Sequence, residues 1–160
     1  MPYPHRMAVP PAELARLVAW HRALGRTIVC TNGCFDVLHR GHVAYLEAAG
    51  ALGDVLVVGV NDDAGVRRLK GPGRPINPAE DRAAVVAALA CVGHVTVFSG
   101  DTALELVEQV RPDVYVKGAD YRDQPLPEAA AVRRCGGQVQ LIDYVPGRST
   151  SAIVRRIRAV

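Results

Sequence analysis

Two histidines three positions apart, His39 and His42, flank Gly41 in the stretch TIVCTNGCFDVLHRGH over 27–42. Imidazoles at that spacing across a helix start can face one ligand together, and their ring N–H groups donate to phosphate oxygens. Lys70 and Arg74 lie further on in a Gly/Pro loop, KGPGRPINP over 70–78, which could close over phosphates or simply hold two solvated cations. Ser149, Thr150 and Ser151 precede the last apolar-periodic segment, where an S/T-rich turn serves as a helix cap, a phosphate cradle or both. These residue types suit the handling of a phosphate, with no protein nucleophile required.

The elements that must position them read as strands and helices in alternation. The β-branched run over 27–30 predicts a buried strand, Asn32-Gly33 breaks it, and an apolar-periodic helix follows over 43–52. A chain that leaves a strand and enters a helix over so short a distance aims free N–H groups and the positive end of the helix dipole into one crevice. Before this unit, residues 1–10 carry three prolines and predict a loose arm. A helix follows over 11–25, with Leu14, Leu17, Val18, Trp20 and Leu24 at helical spacing. After it come a continuous apolar strand over 55–60 and helices over 62–69 and 79–90. The pattern then repeats: strand 94–98, helix 102–110 capped by Asp101, strand 114–117, helix 128–135, strand 139–143 and a terminal helix. This predicts one α/β domain over 11–160, Rossmann-like and doubly wound, with a mainly parallel five-stranded sheet and helices on both faces. Ligands in such sheets sit outside the carboxyl ends of the strands, and the polar residues named above fall in the loops of that rim.

Composition narrows the function. Lys and Arg exceed Asp and Glu by 19 to 16, a dispersed excess too small to argue for nucleic acid, and an aromatic fraction of 5% offers few stacking platforms. The four cysteines include no CxxC pair, so free thiols are expected and neither a zinc site nor a disulfide framework is. No apolar run reaches membrane-spanning length, and the N-terminus lacks the apolar core of a signal peptide, which predicts a cytoplasmic protein with no membrane partner.

The stretch over 31–42, with HRGH at 39–42, resembles the HxGH signature of the nucleotidyltransferase superfamily that includes the cytidylyltransferases. TNGCFDVLHRGHVAYLEAAGALGD, LKGPGRPINPAEDR, VKGADY and GRSTS are similar, in order and spacing, to the adenylyltransferase domain of the ADP-heptose synthase family. The likeness covers roughly 26–158. It implies transfer of an adenylyl group from ATP to a sugar 1-phosphate, a heptose 1-phosphate in the family, with Mg2+, giving an ADP-sugar and pyrophosphate. It also implies a separate sugar kinase upstream and a homo-oligomer, a dimer. Within the superfamily the alternative is a CTP-dependent cytidylyltransferase acting on glycerol 3-phosphate or a similar alcohol phosphate. A nucleotide-binding module without turnover stands further off.

Carried onto this chain, the resemblance gives His39 and His42 the α- and β-phosphate oxygens and makes Lys70 catalytic. Asn32, Gly33, Cys34 and Phe35 would approach the nucleotide with backbone N–H groups, and Gly41 would keep the path clear. Arg74 and Arg82 would be phosphate contacts, and Lys117 and Asp120 would lie by the nucleoside at the end of the fourth strand. Asp36 would face the acceptor or the metal, with helix capping as the equal alternative; no protein cage for a metal is otherwise expected. Arg40 and Ala119 depart from the family pattern beside the ligand.

Overall fold

The computed structural model describes residues 8–159. Its elements alternate along the chain as α1 (Pro11–Ala23), β1 (Ile28–Gly33), α2 (Arg40–Gly50), β2 (Val55–Asn61), α3 (Asp63–Lys70) and α4 (Ala79–Ala87). They continue as β3 (His94–Phe98), α5 (Leu104–Val110), β4 (Val114–Gly118), α6 (Glu128–Arg134), β5 (Gln138–Ile142) and α7 (Thr150–Arg158), with a single 3₁₀ turn over Ala119–Tyr121. The five strands form one all-parallel sheet in the order β3-β2-β1-β4-β5. The chain therefore winds outward from β1 in one direction and returns to its other side at β4. That reversal opens a crevice at the carboxyl ends of β1 and β4.

β2 is buried along its whole length, as its apolar run predicts for a strand covered on both faces. Alternate residues feed two cores. On one face Val29, Val58, Val60 and Val116 meet Tyr45, Leu46 and Ala49 of α2 and Ala83 and Val86 of α4. On the other Ile28, Cys30, Val57 and Tyr115 meet Leu14 and Val18 of α1, Leu106 and Val110 of α5 and Val132 of α6. Gly59 is needed where α5 crosses the sheet, because a Cβ there would run into the Leu106 side chain.

Several expectations are corrected. Asn32-Gly33 does not break β1: both residues pair in register with Gly59 and Val60, and the chain turns later, at Phe35, whose φ is 44°. Strand pairing on a central strand outweighs the local turn preference of the pair. α2 begins at Arg40, ahead of 43, because His39 caps it. α1 stops at Ala23, leaving Trp20 and Leu24 exposed, while His21 takes the buried position. Asp101 does not cap α5: it pairs with Arg68 at 2.6 Å, and the free N–H of Ala103 at that helix start is taken by Glu128 Oε1 at 2.7 Å. Of the predicted loose arm, 1–7 lie outside the described residues. Val9 is held, its N–H donating to Val95 O at 2.8 Å and its carbonyl accepting from Thr96 Oγ1 at 2.9 Å.

Candidate active site

Every site residue predicted above except Arg82 lines one cleft of about 620 Å³ at the carboxyl ends of β1 and β4, within the size range of small-molecule sites. A hydroxyl knot fixes the crevice floor: Thr31 Oγ1 and Tyr45 Oη stand 2.7 Å apart and reach the Val116 carbonyl at 2.9 and 3.1 Å, joining β1, α2 and β4.

The histidines sit at the start of α2. His39 Nδ1 accepts the Gly41 N–H at 3.1 Å, which leaves the neutral ring its proton on Nε2. The two imidazoles stack, centroids 3.9 Å apart and planes 21° from parallel, and Phe35 meets His42 edge-on at 5.4 Å. Gly41 permits the stack, since a Cβ there would stand 2.9 Å from His39 Cε1 and 3.2 Å from Arg148 Cβ. Burial, and then the neighbouring His39, push the His42 pKa down to about 4. Burial followed by the charge of Arg148 lowers that of His39. Both rings are thus neutral donors at physiological pH, and His42 Nδ1 is buried with no hydrogen-bond partner among the described residues. Neutral N–H groups beside a helix N-terminus can stabilise charge that grows on a phosphate during reaction.

Asp36 behaves otherwise. Its side chain is 1% exposed, Oδ1 accepts the N–H groups of Ile76 and Asn77 at 2.7 and 3.0 Å, and Oδ2 accepts from Arg74 Nε at 2.5 Å. It therefore neither caps α2 nor presents a free oxygen to an acceptor or to Mg2+; it builds the loop that places Arg74 on the cleft wall. Arg82 is likewise a strut. Its guanidinium is fully buried and donates to the carbonyls of Asn77, Cys34 and Asn61 and to Asp63 Oδ1, between 2.5 and 2.9 Å. It ties the ends of β1 and β2 to the loop from behind and cannot also grip a phosphate in the cleft.

Lys70 ends α3 as an exposed cation on the rim. Ser149 caps α7, accepting the Ala152 N–H at 3.1 Å, and Thr150 Oγ1 donates to Val37 O at 3.1 Å, so these hydroxyls hold the helix start against the histidine loop while lining the cleft. Cys34 reaches the cleft with its thiol pKa raised by burial. Asp120 stands exposed on the rim, and its charge, after burial, raises the pKa of Tyr144. Lys117 lies deeper, its pKa lowered by burial despite Glu128 and Asp120 nearby.

Tyr45, Tyr121, Tyr144, Thr102 and Glu128 also line the cleft and were not singled out from the sequence. Glu128 had a readable signal: with Ala131 and Val132 it falls at i, i+3 and i+4 on the buried face of α6, where an acid needs a reason to be.

Residues 30–156 match the family model described as Cytidylyltransferase-like. Among curated proteins, the bifunctional protein HldE of Magnetococcus marinus is 56% identical over 144 residues, covering 90% of this chain and 29% of that protein. HldE of Mesorhizobium japonicum is 50% identical over 159 residues, covering 99% of this chain and 32% of that one. The chain thus spans about a third of the length of these relatives. A crystal structure of the lipopolysaccharide core biosynthesis protein from Thermoplasma volcanium superposes with a TM-score of 0.62 at 29% identity, covering 76% of this chain and 98% of that one.

Proposed function

This chain belongs to the cytidylyltransferase-like family and is a nucleotidyltransferase, and from that premise we propose that it transfers the adenylyl group of ATP to a sugar 1-phosphate, a heptose 1-phosphate, releasing pyrophosphate. The observation that carries the reading is the stacked pair of neutral imidazoles at the α2 N-terminus, in the crevice between β1 and β4. An oxygen of the acceptor phosphate attacks the α-phosphorus in line. The new P–O bond forms as the bond to the β-phosphate oxygen breaks, and pyrophosphate leaves with that electron pair. No side chain needs to become a nucleophile. His39 Nε2–H and the His42 ring donate to the non-bridging oxygens as charge accumulates, while Lys70 and the free end of Arg74 face the departing pyrophosphate. Mg2+ enters this reading as the counter-ion of ATP, carried by phosphate oxygens and water and not by Asp36.

The choice of ATP and a heptose rests on the motif wording and on the relatives named HldE. We assign the supply of this acceptor to a separate sugar kinase, which makes a sugar phosphate by phosphoryl transfer. We read the site of action as the cytoplasm, where ATP is available; no described helix is long and apolar enough to cross a membrane. A homodimer is the proposed state in solution.

Pyrophosphate release measured with ATP, CTP, GTP and UTP against heptose 1-phosphate, hexose 1-phosphates and glycerol 3-phosphate tests the assignment. ATP with heptose 1-phosphate is expected to lead in kcat/KM by at least about tenfold, the scale of one well-made discriminating contact. A lead for CTP with glycerol 3-phosphate would overturn it.

A further inference from the structure

The wall of the cleft opposite the histidines carries groups that phosphate gripping at α2 leaves without a task. Strand alternation puts Asn32 of β1 and Lys117 of β4 on the sheet face away from α2, together with Tyr115. Lys117 is only 8% exposed, yet its ammonium, with three protons to donate, has one acceptor among the described residues, Asn32 Oδ1 at 3.4 Å. That oxygen already takes the Tyr115 hydroxyl at 2.5 Å. The face of Tyr121 lies 4.4 Å from Nζ, and the carboxylates of Glu128 and Asp120 are near enough to raise its pKa against burial. An ammonium with two of its three protons unused among the described residues has donors to offer a ligand anion. Glu128 stands on the same side, 4% exposed and lining the cleft, with Oε1 anchored by the Ala103 N–H.

We propose that Lys117 and Glu128 form the acceptor subsite, the Lys117 ammonium taking the acceptor's phosphate and the Glu128 carboxylate its hydroxyl groups. Asn32 brings Lys117 next to Gly33 and Cys34, where β1 ends beside the histidines, so a phosphate held there lies close to the α-phosphate it must attack. A carboxylate fixed by a backbone N–H suits a polyhydroxy ligand better than a base. The nucleoside is left the space beside Tyr144, whose hydroxyl end packs against Gly118 so closely that a Cβ there would be blocked. This assignment rests on the nucleotidyl-transfer reading above.

The test is a split of KM values on the full chain, with whichever acceptor the unmodified enzyme prefers. E128Q keeps an oxygen for the Ala103 N–H and is expected to raise the acceptor KM about tenfold or more, with the ATP KM changing less than about twofold. K117M should raise the acceptor KM and lower kcat, and K117R, which restores the charge, should recover part of both. If K117M does not fold, the acceptor KM of K117R, raised several-fold over the unmodified enzyme, decides. A raised ATP KM with the acceptor KM unchanged returns these residues to the nucleoside and sinks the subsite while leaving the reaction standing. No turnover with any nucleotide and acceptor of the panel would remove the functional reading and the subsite with it.

Discussion

Two sets of polar residues flank the end of β1, and they are used in opposite ways. Asp36 and Arg82 point inward, with both carboxylate oxygens and the three guanidinium nitrogens bonded to the protein itself. His39 and His42 reach the cleft with one ring nitrogen in use among the described residues, His39 Nδ1 on Gly41 N–H, while His42 Nδ1 has no partner among them. Both pairs sit in motifs that carry the family resemblance. Residue type alone does not separate a ligand contact from a strut, whereas an account of which donors and acceptors remain unused does.

That contrast is open to direct attack. Replacing His42 by Ala should lower kcat by about 10²–10³, the scale of one lost donor to developing charge, with the circular dichroism spectrum preserved. Unchanged turnover would end the proposed role. Arg82→Met should act on the other side of the comparison, lowering the urea-unfolding free energy by roughly 3 kcal/mol because three carbonyls and Asp63 lose a buried cation. Activity per folded molecule should hold far better than in His42→Ala; an Arg82 variant that folds normally and is as inactive would restore it as a phosphate contact. A titration reads the histidines without mutation. His42 has its pKa lowered from 6.5 to about 4, so the unfolded chain binds the extra proton between those values. Stability from this group is present above about pH 6.5 and is lost as pH falls toward 4, by about 2–3 kcal/mol. Chemical denaturation across pH 4–7 should show that slope, and His42→Phe should flatten it. The smallest effect is expected at the surface pair of Arg134 and Glu108, 3.4 Å apart and largely exposed, where Glu108→Gln should change unfolding free energy by less than about 0.5 kcal/mol.

The alternation of buried strands and amphipathic helices was legible because β2 and β4 open on β-branched and aromatic apolar runs, buried along their whole length, and the helices carry periodic faces. The rim was legible too, since loops after parallel strands share one side. What stayed hidden was set by partners distant in sequence. Asn32 and Gly33 look like a turn until β2 is laid beside them, and Asp101 looks like a cap until Arg68 and Glu128 are placed. Arg82 reads as a loop-side cation in EDR, but its helix turns it toward carbonyls 21 and 48 positions earlier in the chain. Local pattern carries no information about such long closures.

The stitch between Val9 and β3 has a practical meaning. β3 is an outer strand, and without a covering segment its backbone groups would be available to another sheet edge. Residues 8–10 occupy part of that line, with Val9 bonded on both its N–H and its carbonyl. The far edge relies instead on a strand with exposed Gln138 and Gln140. A truncation or fusion junction for this chain therefore belongs upstream of residue 8, where the seal over β3 is left in place.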